Sequence, residues 1–376
     1  MNKRGKGKLT TIFGGQFGSE GKGQIAHHIA STDETQLAVR IGGPNAGHTF
    51  YNEDQKTHDF YKVVVQQVPC PVYSGARAVI GPEGVINPKV LARELKQYYE
   101  RMGHYLTVYI DSNASVVQQR HLTSEEHLDK AIGSTREGVG ACTADKVMRN
   151  GRLVVKDLNP DFLGLDIQKE ESLKGVAWGI DTAMLVNHGL RGGQHVIIEG
   201  TQGFGLGLHL SGHYPYCTSR ECTPNALWAG TGINPRNASY SESIMVLRTF
   251  PIRVGGHSGP MEDEITWEYL EKRSGGYIQP EVTTVTQRIR RISKFDYDQV
   301  KRAILITRPD YLALSFVDYQ FPEIANLTND GLARFLKKHE EFKDWLVSFQ
   351  QILGVPIKYL STGPGSTSTI KIQEGV

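Results

Sequence analysis

The sequence predicts an α/β fold in which helices flank a mostly parallel central sheet, with insertions in the connecting segments. Two observations predict this fold. Short apolar runs typical of strands alternate along the chain with longer segments of helical periodicity. Several of these runs end directly in a polar loop that contains glycine. Ligands of open α/β sheets bind outside the carboxyl ends of the strands, so the pattern also predicts one large site along a sheet edge.

The predicted elements follow one another from the first apolar run to the last. Predicted strands cover residues 9–13, 63–68, 78–80, 106–110, 196–198, 243–250, 303–307 and 357–360. Predicted helices cover residues 21–30, 87–101, 168–190 and 329–353, the last as one helix or two. Asn87 and Pro88 mark a helix start, because Asn is a favoured N-cap and Pro suits the first helical position. There is no internal repeat or obvious linker, so residues 1–376 are predicted to form one domain.

Composition and charge argue against several classes of function. The chain has 376 residues, of which 39% are hydrophobic, enough for a large buried core. Its 42 Lys and Arg nearly balance 40 Asp and Glu, which predicts no nucleic-acid partner. No segment approaches the ~20 apolar residues of a membrane helix, and the N-terminus lacks the apolar core of a signal peptide. The cysteines show no zinc spacing, and we expect a reduced, cytoplasmic protein.

A glycine-rich loop follows the first predicted strand and opens the first predicted helix. It reads GGQFGSEGKG from Gly14 to Gly23. Glycines let backbone N–H groups close around a phosphate, and Lys22 supplies a positive charge. The loop departs twice from the P-loop pattern G-x-x-x-x-G-K-S/T: five residues separate Gly15 from Gly21, and Gly23 replaces the hydroxyl residue. It predicts a phosphate site in a P-loop-like sheet, but not an ordinary P-loop kinase or GTPase. A glycine-rich turn without a ligand is the alternative.

The same departures resemble the N-terminal signature of the adenylosuccinate synthetase family, G-x-W-G-D-E-G-K-G-K. Further segments resemble the family's motifs, in the family's order. They are GGPNAGHT at 42–49, IGST at 132–135, DKV at 145–147, EGTQG at 199–203, YPYCTS at 214–219, RVG at 253–255, the cluster Arg288, Arg290 and Arg291, TRPD at 307–310 and STGP at 361–364. No single segment is decisive, but the series spans nearly the whole chain. The chain is therefore identified as a member of this family by resemblance.

The resemblance implies a Mg²⁺-dependent ligase that joins L-aspartate to a purine nucleotide. The γ-phosphate of a nucleoside triphosphate moves to O6 of a purine monophosphate, and the α-amine of aspartate then displaces it. Phosphoryl transfer needs positioned substrates and positive charge. The planar guanidinium of an arginine suits the carboxylates of aspartate. The implied Mg²⁺ ligands are Ser19 and the carbonyl of Gly47. His48 is implied as the acid at the phosphoryl group in flight. The full set of implied catalytic residues is Ser19, Lys22, His48 and Gln202.

The resemblance also implies where each substrate binds. The implied ATP site comprises Ser19, Glu20, Gly21, Lys22, Gly23, Gly47, His48, Thr49, Arg308, Asp310, Gly363 and Pro364. The implied site of the monophosphate, expected to be dGMP, comprises Ser19, Asn45, Ser134, Thr135, Arg149, Gln202, Cys217, Thr218, Val254 and Arg288. The implied aspartate site comprises Thr283, Thr284, Val285, Thr286, Arg288 and Arg290. Arg149 corresponds to a residue that reaches the monophosphate of the neighbouring subunit, which implies a homodimer.

The sequence departs from the family pattern at positions that bear on the substrates. Ser19 stands where cellular members carry an Asp that binds Mg²⁺ and takes the N1 proton of the purine. Ser is a poor base and a weak Mg²⁺ ligand, but it is small and leaves room for the 2-amino group of a guanine nucleotide. Pro44 stiffens the turn before Asn45. Arg308-Pro309-Asp310 departs from the T-K-x-D tetrapeptide that reads the guanine of GTP, which favours ATP or dATP. The chain is also shorter than the cellular enzymes.

This combination resembles the phage branch of the family, the 2-aminoadenylosuccinate synthases, which join aspartate to dGMP. We therefore predict a ligase of dGMP and aspartate that uses ATP or dATP. Two alternatives remain open: a cellular-type synthetase that uses IMP and GTP, and a nucleotide-binding relative without activity. Several residues also have purely structural interpretations. His48 could brace a loop, Arg288 and Arg290 could face solvent, and Asp310 could be a turn residue.

Overall fold

The computed structural model describes residues 6–54, 57, 59–126, 128, 132–151, 153–157, 173–283 and 287–372. Its strands, β1 to β17 in chain order, are Lys8–Gly14, Leu37–Arg40, His48–Glu53, Phe60–Val65, Arg77–Ile80, Val85–Ile86, Val108–Asp111, Ser115–Val116, Val176–Ile180, His195–Glu199, Tyr240–Arg248, Ile252–Arg253, Glu264–Ile265, Arg291–Ser293, Tyr311–Ser315, Ile357–Ser361 and Thr369–Lys371. Its α-helices, α1 to α11, are Lys22–Thr32, Pro88–Met102, Gln119–Ser124, Val139–Met148, Thr182–Arg191, Pro224–Thr231, Trp267–Arg273, Tyr297–Thr307, Val317–Gln320, Asn329–Leu336 and Glu340–Leu353. Within these ranges, no helix combines the length and the apolar character needed to span a membrane.

Ten strands form one sheet in the order β17-β16-β15-β11-β1-β10-β2-β5-β7-β9. Neighbouring strands run parallel, except that β17 is antiparallel to β16. The predicted α/β fold with a mostly parallel sheet is therefore confirmed. β1 is central, with Ile12 opposite Glu199 of β10 and Ile244 of β11. The loops that follow these three strands consequently meet at one sheet edge. Strands from both ends of the chain share this sheet, which supports the proposal of one domain.

The central strands are buried on both faces, as parallel strands covered by helices normally are. Along β1, Leu9 and Phe13 pack into one core cluster, whereas Ile12 packs with Ile25 and Ile29 of α1 in another. This explains why β1 carries apolar residues on both faces and does not alternate between apolar and polar residues. Helix α1 begins directly after the glycine-rich loop, so its packing against the sheet also fixes the position of that loop.

Two smaller antiparallel sheets carry further predicted site residues. Strands β3 and β4 form a hairpin that pairs His48 with Val65. Strands β12, β14 and β13 form a three-stranded sheet in which Arg253 pairs with Arg291. The two sheets thus bring residues from distant parts of the chain toward the glycine-rich loop.

The structure corrects two of the predicted elements. Residues 303–307 belong to helix α8, not to a strand: Asp296 caps its start, and Val300 and Ala303 form its buried face. A short apolar run fits either structure, and length and flanking residues must decide. The helix predicted over residues 168–190 is replaced by strand β9 followed by helix α5. The first part of that prediction, residues 168–172, lies outside the described residues.

Candidate active site

The glycine-rich loop between β1 and α1 is braced by one of its own side chains. Glu20 is fully buried, and its Oε1 accepts hydrogen bonds from the N–H groups of Gln16 (3.2 Å) and Gly18 (2.8 Å). Its Oε2 accepts one from Lys22 Nζ at 2.5 Å. Sequence reasoning expects Glu20 at the triphosphate, but the structure turns its carboxylate into the loop. Glu20 therefore acts through Lys22, whose ammonium it positions.

Two features of the glycines explain why this loop departs from an ordinary P-loop. Gly18 and Gly21 have φ angles of 83° and 93°, in the left-handed region that favours glycine. A Cβ on Gly23 would lie 2.7 Å from Cys70 Sγ and 2.9 Å from His48 Cβ. Gly23 therefore lets the strand that carries His48 approach α1 closely. A hydroxyl side chain would not fit at this position.

His48 is held by a buried carboxylate at the end of β10. Glu199 Oε1 accepts hydrogen bonds from His48 Nδ1 and from Arg40 Nη1, the latter at 2.9 Å. Its Oε2 accepts the backbone N–H of Cys70 at 2.7 Å. Arg40 also donates to the carbonyl of Ala46 at 2.7 Å. A carboxylate only accepts hydrogen bonds, so Nδ1 carries the proton and Nε2 is left for a ligand.

Burial sets the protonation of this cluster. Burial and then the Arg40 charge lower the pKa of His48 to about 4, so the ring is neutral at pH 7 before a ligand binds. Burial also opposes ionisation of Glu199, but its contacts with His48 and Arg40 outweigh burial and lower its pKa. The ligand-type atoms of His48, Cys70 and Glu199 lie within 4.8 Å of one another. Burial raises the pKa of the Cys70 thiol, and Arg40 already compensates Glu199, so the cluster does not suit a metal ion.

His48 and Lys22 open onto a cavity of about 120 Å³, named here the central cavity. Its lining also includes Ser19, Asn45, Gly47, Thr135, Gln202, Val254, Thr283 and Arg290. Two buried oxygens in it, Asn45 Oδ1 and Gln202 Oε1, have no hydrogen-bond partner among the described residues. Buried polar atoms are normally paired, so these oxygens point to a polar ligand. Among the described residues, none that lines this cavity carries a carboxylate.

A second cavity of about 180 Å³, named the Cys217 cavity, adjoins the central one. The two share Asn45, Thr135, Gln202 and Val254. The Cys217 cavity adds Ser134, Cys217 and Thr218. Most residues predicted at the monophosphate are therefore brought together. Arg149 and Arg288 are the exceptions, since neither lines these cavities, and Arg149 is exposed at the C-terminal end of α4.

Arg253 also lines the Cys217 cavity, and the sequence-based site left it out. Its guanidinium lies 4.5 Å from the centre of the Phe17 ring and donates to the carbonyls of Tyr216 (2.8 Å) and Pro260 (3.0 Å). Burial and then the nearby charge of Arg291 lower its pKa to about 10. The sequence does contain a signal for Arg253, because this residue begins the segment RVG at 253–255, which resembles a family motif.

Arg290 connects the expected aspartate loop with the glycine-rich loop. Its Nη1 donates to Ser19 Oγ at 2.8 Å, and its Nε lies 3.9 Å from Glu281 Oε2. Glu281 is also paired with the fully buried Arg248 at 2.5 Å. Arg248 in turn donates to the carbonyl of Ser19 at 3.2 Å. Sequence reasoning missed Arg248 and Glu281, although a charged residue at the end of an apolar strand was a usable signal for Arg248.

The expected aspartate loop is only partly described. Thr283 lines the central cavity, and its Oγ1 accepts the N–H of Arg288 at 2.9 Å. The predicted residues between them, Thr284, Val285 and Thr286, lie outside the described residues. The structure thus places Thr283 and Arg290 at the site and leaves Arg288 at its margin.

A third cavity of about 340 Å³, named the hairpin cavity, lies on the other side of Arg290 and is bordered by the β3–β4 hairpin. Its lining includes four residues predicted at ATP, namely Gly21, Thr49, Gly363 and Pro364. It also includes three residues that sequence reasoning did not select, namely Ser315, Phe316 and Asp318.

The structure does not bring Arg308 and Asp310 to this cavity, and their predicted position is corrected. Both precede β15, which runs parallel to β1 through β11, so they lie at the sheet edge opposite the glycine-rich loop. There Asp310 Oδ2 accepts hydrogen bonds from the N–H (2.7 Å) and hydroxyl (2.8 Å) of Ser243. The tetrapeptide at the carboxyl end of β15 is Ser315-Phe316-Val317-Asp318, which also carries Asp in fourth place. The predicted position of Arg308 and Asp310 is wrong because it depended on a strand at residues 303–307, and these residues are helical in the structure.

Comparison with known proteins assigns the family. Residues 11–178 and 168–328 match the family profile described as adenylosuccinate synthetase. The chain belongs to the adenylosuccinate synthetase family. The adenylosuccinate synthetase of Methanocaldococcus jannaschii is 32% identical over 369 residues, which cover 97% of this chain and 96% of that one. That of Methanococcus aeolicus is 36% identical over 375 residues, which cover 97% and 99%. The expected difference in length from cellular enzymes does not hold for these archaeal adenylosuccinate synthetases.

Two solved structures of synthetases share the fold. Cyanophage S-2L succinoaminodeoxyadenylate synthetase (PurZ), bound to dGMP and to dATP as an energy donor, matches with a TM-score of 0.74 at 26% identity, covering 97% of this chain and 95% of that one. Fully ligated adenylosuccinate synthetase from Plasmodium falciparum matches with a TM-score of 0.78 over 98% of this chain and 100% of that one. At 20% identity the latter shows the fold alone. Family membership is confirmed, and the phage structure supports the phage branch of the adenylosuccinate synthetases.

Proposed function

We propose that this ligase joins L-aspartate to C6 of dGMP with hydrolysis of ATP or dATP, through a 6-phosphoryl intermediate. The product is 2-amino-2′-deoxyadenylosuccinate, a precursor for 2-aminoadenine DNA. The observation that carries the proposal is Ser19, which takes the place of the Asp of cellular members and lines the central cavity beside Lys22 and His48. The phage relative bound to dGMP and dATP supports the same branch.

Ser19 makes the central cavity roomier and less acidic than an Asp would. Ser is smaller than Asp, and the space left can hold the 2-amino group of guanine. Its hydroxyl accepts a hydrogen bond from Arg290 at 2.8 Å, and no carboxylate belongs to the described lining. The unpartnered oxygens of Asn45 and Gln202 are acceptors, whereas the extra group of guanine is a donor. Size and hydrogen-bonding capacity therefore both favour a 2-aminopurine.

Several residues around the central cavity have separate roles in the proposed first step, the phosphoryl transfer. O6 of guanine attacks the γ-phosphorus, the bond from that phosphorus to the bridging oxygen of the β-phosphate breaks so that the nucleoside diphosphate leaves, and the N1 proton passes to water. Lys22 places a positive charge at the group in transfer. His48, fixed through Nδ1–H on Glu199, presents Nε2. The negative charge of a bound triphosphate raises the pKa of His48 and lets it donate a proton.

Aspartate completes the proposed reaction in the second step. Its α-amine attacks C6, the C6–O6 bond breaks, and O6 leaves as part of inorganic phosphate, which takes up the proton that the amine loses. Arg290 lines both the central and the hairpin cavities, and its guanidinium suits a carboxylate of aspartate. The same guanidinium donates a hydrogen bond to Ser19 Oγ, so aspartate must compete with that hydroxyl for it.

Mg²⁺ fits this site together with the nucleotide. Ser19 Oγ and the Gly47 carbonyl are neutral oxygens, and Mg²⁺ typically binds one or two carboxylates plus substrate phosphates and water. The carboxylate of the loop, Glu20, is already engaged by Lys22 and by loop N–H groups. The negatively charged ligands of Mg²⁺ must therefore be the phosphate oxygens of the triphosphate. The ion, when bound, neutralises the phosphate charge.

We also propose a homodimer, because Arg149 lines none of the three cavities of its own chain. Arg149 ends α4 with a φ of 60° and is exposed. The adjacent Val147 and Met148 are 74% and 69% exposed, which is apolar surface suited to a subunit interface. Arg149 is therefore available to the monophosphate in a partner subunit.

The deciding experiment compares two acceptors. Succino-product is measured by mass spectrometry with aspartate, Mg²⁺ and ATP, using dGMP or IMP. We expect a higher kcat/KM on dGMP, and we expect Ser19→Asp to slow the dGMP reaction more than the IMP reaction. Ser239→Asp is the matched control, because it adds the same charge at an exposed position just before β11, at the opposite sheet edge. Equal losses on both acceptors in Ser19→Asp would refute the size argument.

A cellular-type activity on IMP with GTP is the second candidate, and the names of the archaeal relatives favour it. It predicts that IMP outcompetes dGMP in the same assay. A nucleotide-binding protein without activity is the third candidate. It predicts nucleotide binding without phosphate release under any combination of substrates.

A further inference from the structure

Asp318 lies at the wall of the hairpin cavity with one carboxylate oxygen engaged and the other free. It belongs to α9 and is 3% exposed. Its Oδ2 accepts a hydrogen bond from the hydroxyl of Tyr277 at 3.1 Å. Its Oδ1 is buried and has no hydrogen-bond partner among the described residues. Leaving a buried carboxylate oxygen without a donor is costly, so Oδ1 is a position for a donor from a ligand.

Tyr277 reaches Asp318 from a glycine turn that follows helix α7. Gly275 and Gly276 in this turn have φ angles of 64° and 89°. A Cβ on either glycine would meet nothing within 4 Å, so the turn stands away from the rest of the protein. Tyr277 itself is 43% exposed. Removing its hydroxyl therefore alters the contact with Asp318 without opening the core.

We propose that Tyr277, by occupying Oδ2 of Asp318, makes the hairpin cavity select an adenine over a guanine nucleotide as the phosphoryl donor. Guanine presents two neighbouring donors, N1–H and the 2-amino group, which pair best with both oxygens of one carboxylate. Adenine presents the 6-amino group as its donor and needs one acceptor. Oδ1 alone matches adenine, whereas the second donor of guanine meets an oxygen already bonded to Tyr277. This inference rests on the proposed function, in which the hairpin cavity holds the base of the donor.

Other features of the hairpin cavity agree with this assignment. Burial raises the pKa of Asp318 to about 6, so its carboxylate is mainly ionised at pH 7 and accepts hydrogen bonds. Phe316 lines the same cavity, and the Arg248 guanidinium lies 3.8 Å from the centre of its ring. An aromatic ring packs against either purine. Phe316 therefore does not distinguish the bases, and we assign the distinction to Asp318 and Tyr277.

Tyr277→Phe tests the inference, because it removes the hydroxyl and keeps the ring. The kcat/KM of the full-length ligase is measured with ATP and with GTP at saturating dGMP and aspartate. We expect the ATP-to-GTP ratio to fall by about tenfold, as for one hydrogen bond to a charged group. Tyr269→Phe is the matched control: Tyr269 lies on α7 and is 46% exposed, and its loss should leave the ratio unchanged.

Binding of the β,γ-imido analogues of ATP and GTP, measured by calorimetry, separates this inference from the proposed function. If the wild type forms no succino-product with any triphosphate, the proposed function fails. The ratio of the two analogue affinities, compared between wild type and Tyr277→Phe, still tests the role of Tyr277. An unchanged ratio in Tyr277→Phe overturns the inference, and so does a wild-type preference for the guanine nucleotide.

Discussion

Replacing Glu199 by Gln tests the buried cluster that holds His48. Glu199→Gln keeps the size of the side chain but removes the negative charge shared by Arg40 and His48. The Arg40 side chain is 1% exposed and would be left as a buried cation without its ion-pair partner. Removing one partner of a buried ion pair costs ~3–5 kcal/mol. We expect the free energy of unfolding at pH 7, measured by urea denaturation, to fall by about that amount.

The pH dependence of this loss follows from the lowered pKa of Glu199. A carboxyl group whose folded-state pKa lies below its ordinary value of 4.5 contributes stability that is complete above that value. The contribution is lost as the pH falls through the lowered, folded-state pKa. The difference in unfolding free energy between wild type and Glu199→Gln should therefore be constant down to about pH 5.5 and shrink below 4.5. A difference that persists undiminished in acid would refute the assignment of an ionised Glu199.

Turnover separates the catalytic support by Glu199 from its contribution to folding. Without the carboxylate, Nδ1–H of His48 loses its fixed acceptor, and kcat should fall by ~10²-fold or more under conditions where the variant stays folded. Glu242→Gln is the matched control, because Glu242 is buried like Glu199, has a lowered pKa and is paired with Lys8 and Lys358. It should lose stability but keep its turnover per folded molecule. Equal losses of turnover in both variants would mean that Glu199 acts through folding alone.

The remaining predictions concern the loop, the donor site and the subunit interface. His48→Ala should lower kcat by ~10²–10³ in single-turnover assays while leaving triphosphate binding near wild type; a normal kcat would remove His48 from the mechanism. Gly23→Ser should lower kcat as well, because its Cβ would lie 2.9 Å from His48 Cβ and 2.7 Å from Cys70 Sγ, and unchanged turnover would contradict that packing. The KM for ATP should rise as the pH falls through about 6, where Asp318 gains a proton, and Asp318→Asn should abolish this dependence. Arg149→Ala should raise the KM for dGMP, and mixing it with His48→Ala should restore one native site per dimer; no recovery would argue against shared sites.

The charge beside Ser19 depends on Arg290, which lies in a family-like segment, and on Arg248 and Glu281, which lie in none. Arg290 and Arg248 both bond to Ser19, one to its hydroxyl and one to its carbonyl. Glu281 pairs with both arginines and also accepts the hydroxyl of Tyr319 at 3.0 Å. The two positive charges at Ser19 are therefore partly compensated before any substrate binds. In the proposed reaction, this compensation leaves Arg290 able to release the Ser19 hydroxyl and bind a carboxylate of aspartate.

Residues 303–318 show where sequence reasoning reaches its limit. Residues 303–307 form an apolar run that fits a strand or a helix, and the choice decides which Asp faces the ligand. With residues 303–307 as a strand, Asp310 falls at the carboxyl end of the sheet. With residues 303–307 in α8, the following strand is β15, and its carboxyl end leads to Asp318. The side chain of Asp310 then pairs with Ser243 at the opposite edge.

The sequence by itself determined the α/β class, the glycine-rich loop and most residue types of the site. Each of these depends on a local pattern of neighbouring residues. Only the tertiary structure decided that Glu199 holds His48, that Glu281 pairs with Arg290 and that Asp318 faces the hairpin cavity. The physical reason is that parallel strands bring together carboxyl ends that lie far apart in sequence. Burial then determines which of the assembled charges are paired and which polar atoms remain free for a ligand.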